Sequence, residues 1–311
     1  MLVCLGAGGP SSAQSPAPEA RVGLEPIAPI PAMPALDPQR VALGEQLFSD
    51  RRLSRDETRS CSSCHDIQTN GASANVHDGA PGRPPPLNTP TVFNASLSFR
   101  LHWTGNFRTL EEEVEHIMRH PAVMATSPDD VATKLRADPE KVRQFRDAYG
   151  REPDAAALLD AIATFERSLL TPGSRFDRWL AGDTGALTPD ELAGYRMFKS
   201  FGCISCHQGV NVGGNLFQRH DVFRQLGSVE PQVLRVPSLR NVAATAPYFH
   251  DGSAATLPDA VRAMGLAQLD RVLTDRQIDG LVAFLHTLTG AYKDRTIGPA
   301  KAAPRAAGDA P

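Results

Sequence analysis

Two short runs, Cys61-Ser62-Ser63-Cys64-His65 and Cys203-Ile204-Ser205-Cys206-His207, share one pattern: two cysteines with two residues between them and a histidine directly after the second. In such a run the thiols become thioethers to porphyrin vinyl groups, and the adjacent imidazole is delivered to the iron. A thioredoxin-like redox pair needs no histidine at that place, and a structural zinc site gathers its ligand pairs closer in sequence. The repeat uses four of the chain's five cysteines. It predicts two covalently bound haem c groups, and the rest of the chain must fold around them.

With 311 residues and 41% hydrophobic content, the chain can bury two cores. The usual span of about 100 to 200 residues per domain also gives two, one for each haem. The net charge of -3 carries no basic face or stripe of the kind that binds nucleic acid. A small molecule or a redox partner fits better. No run reaches the roughly 20 apolar residues of a membrane-spanning helix. The small and apolar start, ending near Ser11-Ser12-Ala13-Gln14, reads as the remnant of an export signal, with Cys4 inside that leader. Haem attachment of this kind belongs outside the cytoplasm, so the expected compartment is the periplasm.

Residues 1–36 are read as the leader remnant and a Pro/Ala-rich tether, with order expected from about Asp37. A short helix is expected over Pro38 to Leu47, and a long loop over Asn70 to Pro90. Thr109 and Glu112 form a capping box for a helix that ends near His120, before Pro121. Ser127-Pro128 opens another, with Gly150 as its stop, and Asp154 to Leu170 carries Leu158, Ile162, Phe165 and Leu169 at helical spacing. This sequence defines a first haem domain over 37–172. After the Pro172-Gly173 break, Thr188 to Glu191 opens a helix into the second haem run, and Thr256 to Met264 and Thr274 to Thr289 close a second domain over 173–292, with Gly290 as a stop. Residues 293–311 are expected to be a flexible tail. Strand-like alternation is almost absent, so the fold class is mostly α, two helical domains with long loops.

Each iron then needs a sixth ligand or an open position, which decides between electron transfer and chemistry. For the second haem the candidate is Met264, whose alternative is an ordinary core methionine. For the first, His77 and His102 both lie near enough in sequence, and spacing alone does not choose between them.

The order of these motifs resembles that of the bacterial di-haem cytochrome c peroxidases and their MauG-like relatives, from about Asp37 to Gly290. Leu43 to Phe48 with Arg52-Leu53-Ser54 is similar to the lead into the first haem, and Asn88 to Asn94 to the inter-haem segment that ends in Trp103. Ser238 to Val242, with Thr245 to Gly252, resembles the C-terminal signature. The resemblance implies two cytochrome c-like domains. His207 and Met264 would ligate a high-potential electron-transfer haem, and His65 would be the proximal ligand of the haem where hydrogen peroxide is split. Trp103 would conduct electrons between them. Asn88, Thr245 and Pro247 would bind a calcium ion at the domain interface, the last two through backbone carbonyls, and oxygen donors suit that hard cation. It further implies a small cytochrome c or copper protein as electron donor, and a homodimer.

Three departures set this chain apart from that pattern. Pro121-Ala122-Val123-Met124 places Val123 where the peroxidases carry an acid that assists O–O cleavage, and valine moves no proton. Glu113, aligned with the family's glutamine, is the replacement acid to test. The distal histidine aligns with His77 only if about three extra residues, such as Pro84-Pro85-Pro86, are allowed in the loop. MauG-like members dispense with that ligand, but they put tyrosine where this chain has Met264. Thr104-Gly105-Asn106 also replaces the usual Asp-Gly-Arg after the tryptophan. The expected activity is a periplasmic haem peroxidase. The alternatives are a MauG-like oxidase and a non-catalytic di-haem electron carrier.

Overall fold

The computed structural model describes residues 25–73, 87–219, 222–224 and 233–300. In chain order its helices are α1 Pro38–Phe48, α2 Leu110–Arg119, α3 Pro128–Arg136, α4 Pro139–Tyr149, α5 Ala155–Arg167, α6 Arg175–Leu180, α7 Pro189–Ser200, α8 Leu257–Leu269 and α9 Asp275–His286. Two short antiparallel hairpins join them. In one, β1 Phe217–Arg219 pairs with β2 Val233–Arg235, and in the other β3 Ala291–Tyr292 pairs with β4 Arg295–Thr296. The chain is mostly helical, as its sequence predicts.

Each half is built on one close helix crossing. In the first, a Cβ added to Gly44 of α1 would come within 2.0 Å of the Ala161 carbonyl on α5. In the second, a Cβ on Gly194 of α7 would come equally close to the Gly280 carbonyl on α9. Four residues beyond each of these glycines lies a phenylalanine, Phe48 or Phe198, that meets a phenylalanine of the crossing helix. The ring centroids are 5.3 Å apart for Phe48 and Phe165 and 5.1 Å apart for Phe198 and Phe284. Leu43, Leu47, Val131, Leu135, Phe145, Leu158 and Ile162 fill the first core, and Phe176, Tyr195, Phe198, Ile278, Leu281 and Leu285 the second. Burial of these stripes is the main stabilising term in each half.

The halves meet through a second repeat. Pro90 to Asn94 and Pro237 to Asn241 each end in an asparagine with left-handed backbone, at φ 62 and φ 60. Both asparagine amides donate to one hydroxyl, Thr171 Oγ1, at 2.8 Å from Asn94 and 3.0 Å from Asn241. The haem loops exchange bonds as well, since Asn70 Nδ2 donates to Ala244 O and Asn211 Nδ2 to Asn94 O.

Several expectations are corrected. The helix expected from Pro128 to Gly150 is two helices, because Pro139 has no amide to donate and pushes Asp138 out of helical geometry. Asp138 instead caps α4 by accepting from Glu140 and Lys141 amides. α6, not anticipated, starts on a Ser174/Asp177 capping box. α8 runs past Met264 to Leu269, and α9 ends at His286 rather than Thr289. Gly290 is not its stop; a Cβ there would meet the Thr171 carbonyl at 2.0 Å, so close packing is what requires glycine.

The tether also differs from expectation. Ile27 and Ile30 are buried, Pro26 O accepts from the Gly209 amide, and Tyr195 Oη donates to Glu25 Oε2, so residues 25–30 pack on the second half. At the other end, residues 293–297 of the expected flexible tail complete a hairpin. Ile297 is buried with Tyr292, and the Arg295 guanidinium donates to Ile67 and Gln68 carbonyls. Among the described residues no helix is long and apolar enough to cross a membrane.

Candidate haem sites and the contact between them

Cys61 to Ser63 form a single 3-10 turn that lifts His65 toward Phe48, 6.5 Å between ring centroids. Its Nδ1 lies 3.1 Å from Gly71 O. A carbonyl can only accept, so Nδ1 carries the proton and Nε2 keeps its lone pair for a metal. The second site repeats this arrangement. Cys203 to Ser205 turn in the same way, His207 lies 6.4 Å from Phe198, and its Nδ1 is 3.3 Å from Val212 O. Burial favours the neutral ring in both cases, and it pushes His207 down to about 4. It also raises the Cys61 and Cys203 thiols, the latter to about 11. Gly213 leaves a narrow cradle beside the second histidine: a Cβ there would meet Pro237 O at 2.1 Å and His207 Nδ1 at 3.3 Å. Thiols, a neutral imidazole with a fixed tautomer and a cradle are a fitting donor set for haem c at Cys61, Cys64 and His65, and at Cys203, Cys206 and His207.

Other residues expected at the two sites differ in kind. Met264 stands midway along α8, half-buried, and among the described residues it lies outside the apolar cluster that takes up Val261 one turn earlier. The first site is instead bordered by carboxyl groups. Burial raises Glu113 above the usual carboxylate range, against the opposing pull of Arg235 and of the His102 amide that donates to it. Glu166, which the sequence reading missed, is pushed up to about 8, first by burial and then by the negative charges of Glu113 and Glu111. Its charge is felt at Cys61. The clue in the sequence was a glutamate directly after Phe165 in the buried stripe of α5. Val123 lies in a turn whose carbonyl accepts from Arg59, and no acid stands at that position. His102 has left-handed backbone at φ 66 and bonds through Nδ1 to Thr104 Oγ1. His77 lies outside the described residues.

Trp103 and Asn88 belong to one cluster between the halves. Trp103 Nε1 donates to Asn88 O at 2.8 Å, and the indole meets the His250 ring edge-on at 4.6 Å. Asn88 Nδ2 donates to Pro247 O at 2.9 Å. Its Oδ1 is buried, with no hydrogen-bond donor among the described residues. Such an orphaned acceptor suits a hard cation. The Thr245 hydroxyl donates to Val242 O. Gly105, in the segment that departs from Asp-Gly-Arg, passes so close to Phe217 that a Cβ would lie 2.0 Å from the ring.

The family model described as di-haem cytochrome c peroxidase matches residues 38–185, and that described as cytochrome c matches residues 192–289. The chain is 39% identical, over 287 residues, to the cytochrome c551 peroxidase of Nitrosomonas europaea, covering 87% of this chain and 86% of that one. It is 31% identical to the methylamine utilization protein MauG of Methylorubrum extorquens, over 84% of this chain and 81% of the other. A solved structure, that of a MauG-like protein associated with microbial copper homeostasis, matches at a TM-score of 0.69 and 26% identity, covering 85% of this chain and 93% of that one.

Proposed function

The chain belongs to the di-haem cytochrome c peroxidase and MauG family and is a haem peroxidase, and from that premise we propose that it reduces hydrogen peroxide to water in the periplasm, using electrons from a small cytochrome c or copper protein. The observation that carries this reading is the pair of carboxyl groups, Glu113 and Glu166, that burial holds toward the protonated form beside the first haem site.

Bound iron supplies electron storage at the second site and peroxide binding at the first. Cys203 and Cys206 would anchor the second haem, with His207 and Met264 as its iron ligands; a thioether together with an imidazole would favour the reduced metal. Cys61 and Cys64 would anchor the first, with His65 as proximal ligand, its Nδ1 proton committed to Gly71 O so that the ring holds one orientation. Trp103 would pass electrons one at a time between the halves. Glu113 would move one proton between the peroxide oxygens, in the place that Val123 cannot fill. His77 is the family's candidate for a resting ligand that leaves when the second site is reduced. Asn88, Thr245 and Pro247 would hold calcium with oxygen donors, fixing the interface through which that release is transmitted.

A second reading is favoured by Val123: a MauG-like oxidase that draws its electrons from a partner protein or small molecule through Trp103. Optical and EPR spectra decide, taken fully oxidised and then half-reduced with calcium present, before and after one equivalent of peroxide. A high-spin haem by the half-reduced stage, with turnover on adding reduced cytochrome, supports the peroxidase. A long-lived oxidised state without turnover supports the oxidase, and two low-spin haems that ignore peroxide would leave only an electron carrier.

A further inference from the structure

Arg235, at the end of β2, belongs to the second half of the chain but is spent on the tryptophan of the first. Its amide donates to Trp103 O at 2.8 Å, and its Nε donates to His102 O at 3.1 Å. Its guanidinium carbon lies 5.4 Å from the centroid of the Trp103 ring. Its own carbonyl is 3.1 Å from His250 Nε2, and the same His250 ring stands edge-on to the indole. The side chain is buried, at 8% exposure. A loop needs only the backbone bond to hold its place. Bringing a desolvated cation to the ring as well is costly, and that cost asks for a function.

We propose that Arg235 sets how long an oxidising equivalent can rest on Trp103, its buried cation holding the indole hard to oxidise so that Trp103 passes electrons through without keeping a radical. The inference rests on the relay reading of Trp103 and adds to it the residue that keeps the relay from becoming a store. In the step concerned, neutral indole gives up one electron toward the first site and becomes a radical cation. It is restored by one electron from the second site, and no proton need leave Nε1. Two such transfers, with two protons, reduce one hydrogen peroxide to two waters. The radical cation would lie beside a guanidinium, and like charges repel.

Magnitudes favour this effect over the one opposing it. A unit charge at this distance, at the effective dielectric found near protein surfaces, shifts an equilibrium by about a hundredfold. The bond from Nε1 to Asn88 O favours the radical cation, but a hydrogen bond of this kind is worth about tenfold. Glu113 is the acid that faces Arg235, and burial shifts it toward the neutral form, so it cancels only part of the charge. The Nε1 bond stays in place when Arg235 is replaced, so the substitution removes only the charge effect as Glu113 lessens it, about tenfold or more.

The test uses the holoprotein carrying both haems, mixed with one equivalent of hydrogen peroxide and no electron donor. Indole radical is followed by EPR, and oxygenation of Trp103 is followed by peptide mass spectrometry. Arg235→Gln should raise the yield or lifetime of the Trp103 radical by about tenfold, with matching oxygenation of that residue. Arg235→Lys, which keeps the charge and loses the fork, should stay within about threefold of the parent. Equal radical in the parent and Arg235→Gln would overturn the proposal. So would Arg235→Lys behaving like Arg235→Gln, since placement and not charge would then be responsible. Trp103→Phe separates this from the parent reading: if it leaves electron transfer between the haems unchanged, and no indole radical forms in any variant, the relay itself falls and this proposal with it.

Discussion

The two haem sites are cast from one mould on their histidine side and differ on the other. Gly44 and Phe48 cross α5 as Gly194 and Phe198 cross α9, and His65 and His207 each give their Nδ1 proton to the carbonyl of the glycine or valine a few residues on. Elsewhere the likeness stops. The second half offers α8 with Met264, while the first offers the carboxyls of Glu113 and Glu166 and the Trp103 loop. A repeated scaffold thus fixes how a haem is held. What faces it decides whether that haem would store an electron or spend one.

The comparison can be broken most forcefully at the crossings. Gly44→Ala and Gly194→Ala each drive a methyl into a backbone carbonyl at 2.0 Å, and each should destabilise its own half by about 3 kcal/mol or more. Thermal melting followed by limited proteolysis would show which half opens, and tolerance at one site would mean that the crossings are not equivalent. Met264→Ala should lower the potential of one haem by a large margin and leave the other in place. A redox titration with unchanged potentials would remove Met264 from the second site.

At the interface, Asn94→Ala and Asn241→Ala should each cost about 1 to 3 kcal/mol, because each leaves buried partners unsatisfied. The double variant should cost less than the sum in chemical denaturation, since both amides share Thr171 Oγ1. Glu166→Gln acts on the pH dependence of stability rather than on its value at one pH. The folded carboxyl keeps its proton to about 8, against 4.5 for an ordinary glutamate. As pH rises between those values the unfolded chain releases the proton first, so stability present below the window is lost across it. The variant should flatten that decline, measured by urea unfolding at several pH values.

Features whose partners lie nearby were legible in the sequence. The Thr109/Glu112 and Thr188/Glu191 boxes cap the helices expected of them, and Leu158, Ile162 and Phe165 are buried as their spacing implies. What escaped depends on contacts between distant residues. Ile27 and Ile30 sit in a Pro/Ala-rich stretch that reads as a tether until the second core is there to receive them. Arg235 is separated from His102 by 133 positions, and no local pattern joins a strand-end arginine to a tryptophan. Glu166 looks like a surface residue at a helix end until Glu113 and Glu111 are brought against it. At Asp138-Pro139 the apolar spacing continues on both sides, and the missing proline amide outweighs it.

Thr171 gives the two halves a common gear tooth. Its single hydroxyl oxygen is held by an amide from each proline-to-asparagine loop, and each of those loops abuts the histidine of its own site through Pro90 or Pro237. Neither loop can advance alone without slipping off that tooth. A change of oxidation state that shifts one histidine by a fraction of an ångström would therefore be met at the other site as a matched turn or as a broken bond, and the coupling would be mechanical, independent of the route that electrons take.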